Sequence, residues 1–157
     1  MLKQISINTK FGWVSAREKK GKIFNIRFGK LRKQTKSTTL KKFRENLLKF
    51  FNKKINKIKV PHRIYGNKLQ KKIWNELKKI KKGETKSYGE IAKKYKISPR
   101  QVGKICSQNN LLIIIPCHRV IKTDGNLGGF TSLGGIKLKK KLLNFEKKNS
   151  VIYLVYS

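Results

Sequence analysis

Acidic side chains are nearly missing from this chain. Its 157 residues carry 7 Asp and Glu against 41 Lys and Arg, for a formal net charge of +34. A polyanion is the natural partner for such a surface, because lysine and arginine neutralise phosphates and release their counterions. The excess is nearly all lysine, alongside many Ile and Asn, which an A/T-rich coding sequence also produces. Charge alone therefore does not choose among DNA, RNA and ribosome. Cysteine is equally scarce: only Cys106 and Cys117 occur, too few for a disulfide scaffold, and no Cys/His cluster has metal-ligand spacing. We expect neither a metal nor a cofactor. No apolar run is long enough to span a bilayer, and none near the N-terminus resembles a signal peptide. The expectation is a cytoplasmic protein without membrane association, in a reducing compartment where thiols stay free. The length suits one ordinary domain or two small ones.

Residues 1–35 read as β structure. Ile5, Ile7, Trp13 and Val14, then Ile23, Phe24, Ile26 and Phe28, form short β-prone runs, and Gly21 marks a turn. Thr39 opens a helical segment with Leu40, Phe43, Leu47, Leu48 and Phe51 at helical spacing. The Lys- and Asn-rich stretch 52–66, with Pro61 and Gly66, connects two subdomains, which we place at 1–62 and 63–157. Beyond it, Leu69, Ile73, Trp74, Leu77 and Ile80 line one face of a helix that Gly83 closes. Ser87 and Glu90 match a capping box, which predicts a helix from Tyr88 to about Tyr95. Ser98, Pro99 and Gln101 repeat that signal for a helix from Pro99 to about Ser107. Two short helices joined by Lys96-Ile97 have the dimensions of a helix-turn-helix. Gly103 in its second helix admits two explanations, close approach to a partner or packing against a neighbouring helix. The tail reads as a helix over Ile136–Lys148 and a β-prone Val151–Tyr156.

The chemistry concentrates at Pro116-Cys117-His118-Arg119-Val120. It follows the apolar run Leu111–Ile115, read as a buried strand that delivers a thiol and an adjacent imidazole to one place. A free thiol, with a pKa of about 8.5, is mostly protonated at neutral pH, and a base or a cationic neighbour is the usual means of activating it. This pentapeptide resembles the active-site signature of the O6-alkylguanine-DNA alkyltransferases (methylated-DNA–protein-cysteine methyltransferases). Gly83-Glu84-Thr85, Ser87 to Ala92, Pro99-Arg100, Val102-Gly103 and Asn109 resemble further blocks of that family in the same order. Gly125, Gly129-Phe130, Gly134-Gly135, Lys139, Leu142-Leu143 and Glu146 continue it. The resemblance is dense over 66–146 and loose over 1–65.

It implies an α+β protein, with a ribonuclease-H-like N-terminal subdomain and a mostly helical C-terminal one carrying a winged-helix-like helix-turn-helix. The implied reaction is direct reversal of DNA damage: a flipped-out O6-alkylguanine, or O4-alkylthymine, gives its alkyl group irreversibly to the cysteine. Double-stranded DNA would be engaged through the minor groove by a monomer. In those roles Cys117 is the nucleophile, His118 takes its proton through a water, Glu146 orients His118, and Asn109 braces the thiol loop. Tyr88 would donate to the guanine N3 as negative charge develops on the ring. Arg100 would fill the gap in the base stack, with Ser98, Gln101, Gly103 and Lys104 on the same DNA-binding helix. Gly129, Phe130 and Thr131, in the loop 125–135, would close with Tyr88 over the alkylated base. Arg119 reads as structural and Cys106 as a packing thiol. Three departures stand out: Asn110 and Lys81 each replace a family Pro, and Phe130 replaces the usual Tyr. The alternatives are a non-catalytic alkyltransferase-like protein that flags lesions, whose members lack the cysteine, and a thiol hydrolase.

Overall fold

The computed structural model describes residues 1–147 of the chain. The β-prone Val151–Tyr156 and the final residue of the tail helix expected to reach Lys148 lie outside the described residues. The architecture is mixed, a small sheet and helices, in two compact units. One comprises Met1–Tyr65 with Asn110–Ile114; the other comprises Gly66–Asn109 and the chain from Ile115 onward. The division thus falls a few residues beyond the expected 62/63 boundary, and a short later segment joins the first unit.

The first unit is built on an antiparallel meander of β1 (Leu2–Thr9), β2 (Gly12–Lys19) and β3 (Lys22–Phe28), in the order β1-β2-β3. Lys20 and Gly21 join β2 to β3 with φ of 52° and 76°. Two successive positive φ values give a turn whose twist matches that of the flanking strands. Val14, Ala16, Ile23 and Ile26 bury one face beneath α1 (Thr38–Phe51), whose Leu40, Phe43, Leu47, Phe50 and Phe51 recur at helical spacing. The helix starts one residue earlier than Thr39 because the Ser37 hydroxyl caps it, accepting from Leu40 N at 3.2 Å while donating to Glu18. The outer edge of β3 is covered twice. Ile23 N donates to Pro61 O at 2.9 Å and Arg63 N to Ile23 O at 2.8 Å. Ile26 N donates to Asn110 O at 2.8 Å, and Leu112 N to Ile26 O at 3.2 Å.

That second pairing corrects the expected strand over Leu111–Ile115. Leu111, Leu112, Ile113 and Ile115 are buried, yet the segment forms isolated bridges around a turn. Residues 110–114 enter the first unit to bond Ile26, and the chain is back in the second unit at Ile115. So short an excursion needs a sharp reversal, and Ile113 supplies it at φ 75°, a costly conformation for a β-branched residue.

In the second unit α2 (Lys68–Leu77) opens on a reciprocal Asn67/Gln70 cap. It ends at Leu77 rather than running to Gly83, because i+3 bonds from Lys79 N to Glu76 O and Ile80 N to Leu77 O tighten its last turn. Gly83, at φ 87°, serves a separate turn. The strand β4 (Lys86–Ser87) leads into α3 (Tyr88–Tyr95) and α4 (Pro99–Ser107), capped by Ser87 and Ser98 as their sequences predict. Lys96, left-handed at φ 55°, makes the bend between the two helices. Val102, Ile105 and Cys106 form the buried face of α4, and Trp74 Nε1 donates to Ile105 O at 3.0 Å. β4 pairs in parallel with β5 (Val120–Ile121), and α5 (Gly135–Glu146) follows. Ser98→Ala removes the hydroxyl that accepts from Gln101 N at 3.1 Å, and should cost about 1 kcal/mol in urea unfolding.

Candidate active site

Cys117 sits in a 3-10 turn, Cys117–Arg119, directly before β5. It is 5 % exposed. Asn109, two residues past the end of α4, ties this turn down: its Nδ2 donates to Ile115 O at 2.8 Å and to Cys117 Sγ at 3.3 Å. One amide carries two N–H groups, so both bonds form together. Burial pushes the thiol pKa up; the Asn109 amide, the Lys139 charge and the backbone N–H groups of Cys117 and His118 pull it back toward thiolate. The thiol is thus held protonated by its dry surroundings beside groups already arranged for the anion.

The next two residues share one carboxylate. Glu146, at the end of α5 and 3 % exposed, meets His118 Nε2 through Oε1 at 3.0 Å. The same Oε1 accepts from Arg119 Nε at 2.9 Å, and Oε2 accepts from Arg119 Nη2 at 2.7 Å. Arg119 Nη1 donates to Ile80 O at 2.7 Å. Burial alone would raise the Glu146 pKa; the charges and hydrogen bonds of His118 and Arg119 overcome it and hold the carboxyl at about 2. Glu146 is therefore ionised and fixes the imidazole by one nitrogen. Arg119 is the bidentate anchor that fixes Glu146.

A second polar cluster is centred on Lys139, which is fully buried. Its Nζ donates to Val120 O at 2.7 Å, Gly129 O at 3.2 Å and the Tyr88 hydroxyl at 3.4 Å. These occupy all three ammonium protons. Desolvation lowers its pKa to about 8, a shift that the charges of Cys117 and Cys106 oppose. The Tyr88 hydroxyl is pushed well above its ordinary range by burial. Gly128, at φ 74°, passes so close to Tyr88 that a Cβ would lie 3.0 Å from its ring, so the loop needs glycine there.

Tyr88, Arg100, Gly103, Cys106, Cys117 and the loop residues Gly128 to Thr131 line one cavity of about 640 Å3. It lies wholly within the second unit. The helix pair α3–α4 and the thiol therefore face a common space, large enough for a purine base.

Residues 68–148 match the family described as "6-O-methylguanine DNA methyltransferase, DNA binding domain". The chain belongs to the 6-O-methylguanine DNA methyltransferase family. A methylated-DNA–protein-cysteine methyltransferase of Sulfolobus acidocaldarius is 48% identical over 86 residues, covering 55% of this chain and 54% of the relative. One of Saccharomyces cerevisiae is 40% identical over 90 residues, covering 56% and 47%. The match thus spans about half the length of these curated relatives. A Mycobacterium tuberculosis OGT, solved in complex with DNA, is similar over 91% of this chain and 92% of its own, with a TM-score of 0.80 and 29% identity.

The residues singled out for a methyltransferase site fall into three groups. Tyr88, Arg100, Gly103, Cys117, Gly129, Phe130 and Thr131 line the cavity. Asn109, His118 and Glu146 support the thiol turn without lining it. Ser98, Gln101 and Lys104 are exposed on or next to α4 and do not line it either. A Cβ on Gly103 would meet only Tyr88 Cε1 at 3.9 Å, an ordinary approach distance, so packing does not require that glycine. Two residues carry more than their sequence suggested. Cys106 packs against its helix neighbours yet also borders the cavity, and burial pushes its pKa up to about 12. Lys139 joins Tyr88 to the loop. Its signal was available: one lysine on the helical stripe Leu138, Leu142, Leu143 and Glu146, where a solvated charge has no place.

Proposed function

We propose that this chain repairs DNA by direct reversal, taking the alkyl group of O6-alkylguanine, or of O4-alkylthymine, onto Cys117 once and irreversibly. One observation carries the reading: the Cys117 thiol borders the same cavity as Tyr88 and the helix-turn-helix residue Arg100. The names of the curated relatives and the DNA complex of the tuberculosis protein support it. The thiolate attacks the alkyl carbon, the S–C bond forms, and the O6–C bond breaks. The Cys117 proton passes to His118, which Glu146 holds in orientation. Tyr88 donates its proton to guanine N3, so the leaving group departs neutral. The Lys139 ammonium beside the phenol oxygen strengthens that donor. Arg100, second residue of α4, enters the minor groove and occupies the place of the extruded base, with Ser98, Gln101, Gly103 and Lys104 along the backbone. The meander followed by α1 supports the ribonuclease-H-like reading of the first unit, and α3–α4 beside paired β4 and β5 supports the winged-helix-like one. The proposed state is a cytoplasmic monomer acting on double-stranded DNA; among the described residues no helix is long and apolar enough to cross a membrane.

The deciding experiment is intact mass spectrometry after incubation with a duplex oligonucleotide containing O6-methylguanine. One added methyl per molecule, on Cys117, is expected. Many equivalents processed per molecule would contradict a single-use acceptor, and tight lesion binding without transfer would make the chain a damage-flagging relative.

Two further outcomes follow from the geometry. Burial lowers the Lys139 pKa to about 8, so its ammonium starts to lose the proton in that region rather than near its ordinary 10.5. Single-turnover transfer should therefore lose rate as pH rises through about 8, and Lys139→Met should be slower at neutral pH and lack that alkaline limb. An unaltered limb in the variant would remove Lys139 from the chemistry. Arg100→Ala should slow transfer from duplex DNA by roughly tenfold or more, since base extrusion costs a few kcal/mol, while leaving transfer from the free alkylguanine base nearly unchanged. Equal losses on both substrates would count against an extrusion role.

A further inference from the structure

The first unit carries a second cationic concavity, independent of the thiol site. Lys19, Lys20 and Lys22 at the β2–β3 turn, with Phe24, Arg63 and Tyr65, line a space of about 270 Å3. The backbone explains the grouping. Ile23 pairs with His62, so the extended segment 61–65 runs beside β3. Ile23 is fully buried, whereas Lys22 is exposed and Phe24, the residue left over where the β2–β3 register shifts, is only half-buried. Arg63 and Tyr65, two residues apart, join them. Phe24 and Tyr65 meet edge to face at 6.2 Å between centroids, and the Arg63 guanidinium lies 6.0 Å from the Tyr65 ring centre. Tyr65 is nonetheless 52% exposed, one of few large apolar side chains so open. None of the four cations forms an ion pair among the described residues. The nearby carboxylate of Glu18 is engaged by Ser37 and by Gly21 N.

We propose that this concavity binds single-stranded DNA, with one unpaired base stacked on Tyr65 and the flanking phosphates on Lys19, Lys20, Lys22 and Arg63. Lysines alone would suit any polyanion. The open aromatic face, already polarised by a guanidinium, is what selects a strand with unstacked bases, because a duplex hides its base faces. The volume falls below the range of about 300–1,000 Å3 usual for enclosed small-molecule pockets, and suits one base with its phosphates at the rim.

The test uses the full chain and a thymidine 12-mer carrying one 5-iodouracil, which on irradiation links to aromatic side chains stacked on it. Peptide mapping should place the adduct on Tyr65 or Phe24; adducts found only on peptides of the second unit would overturn the proposal. Fluorescence anisotropy with the same oligonucleotide, unmodified, supplies the energetics. Tyr65→Ala should weaken binding about fivefold or more, the loss of one base–aromatic stack, and Tyr65→Phe should restore it. Lys19→Gln with Lys20→Gln and Lys22→Gln should flatten the dependence of log K on log salt by about 0.7 for each phosphate no longer neutralised. A charge-matched control on α1, Lys41→Gln with Lys42→Gln and Lys49→Gln, all three exposed, should change affinity less than twofold. If the control loses as much as the hairpin variant, or Tyr65→Ala binds like the parent, the lysines act only as bulk charge and the site is refuted.

Discussion

Cys117→Ser should abolish alkyl transfer, with the intact mass unchanged after prolonged exposure to the methylated duplex. Serine keeps the size and the hydrogen bond from Asn109 but supplies an alcohol in place of a thiol. An alcohol is far harder to ionise, so the rate should fall by roughly four orders of magnitude or more, the scale on which nucleophile knock-outs act. The result is informative because Cys106 still borders the same cavity. Both thiols are pushed up in pKa by burial, so dryness does not distinguish them. What distinguishes them is the surroundings. Cys117 has the Asn109 amide, two backbone N–H groups and the Lys139 charge to favour thiolate. Of these Cys106 has only the Lys139 charge, and the thiolate of Cys117 would oppose its own ionisation. A methyl found on Cys106 in the variant, at a rate near that of the parent, would refute the assignment.

The second large effect concerns the carboxylate beneath the imidazole. Glu146→Gln preserves shape and removes charge, which leaves the Arg119 guanidinium, 8% exposed, without its counter-ion. Breaking a buried pair from one side costs about 3–5 kcal/mol. Urea unfolding should show a loss on that scale. Arg119→Met alone should cost a similar amount for the converse reason. The double variant should cost clearly less than the two added together, because it strands neither charge. A loss below about 0.5 kcal/mol for Glu146→Gln would mean that the pair contributes nothing. The pH dependence gives an independent check. The carboxyl is depressed from its ordinary 4.5 to about 2, so the stability tied to its ionisation is complete above about pH 4.5 and is lost as pH falls toward 2. The glutamine variant should lack that acid limb. Its transfer rate at neutral pH should also fall, since a neutral amide can still accept from His118 but no longer stabilises the imidazolium that forms on proton transfer.

Helix boundaries at functional positions were written locally, which is why they were legible. Ser87 with Glu90, and Ser98 with Pro99, specify where α3 and α4 begin through bonds spanning three residues. The pentapeptide at 116–120 and its companion residues named side chains that the fold does bring together: Tyr88, Arg100 and Cys117 border one cavity, and Asn109 bonds the thiol. Two features escaped because they depend on distant partners. The apolar run 111–115 has every local mark of a strand, and only its pairing with Ile26 turns it into a reversal. Lys139 was marked by the family resemblance but had no role assigned to it; its meaning comes from Val120, Gly129 and Tyr88, which the fold brings to it. Glu146 suffered less from that problem, because a carboxylate is rare enough here to stand out.

The excursion of residues 110–114 also bears on the order of folding. An N-terminal fragment ending at residue 65 contains all three strands and α1, yet lacks the segment whose Asn110 carbonyl and Leu112 N–H satisfy Ile26 on the edge of β3. Along a growing chain that edge stays open until α2, α3 and α4 have been made. The thiol turn lies only a few residues beyond the segment that finally closes it. The first unit is therefore completed by the stretch of chain that leads straight into the Cys117 turn, while the polar groups around that thiol still wait for Lys139 and Glu146 on α5.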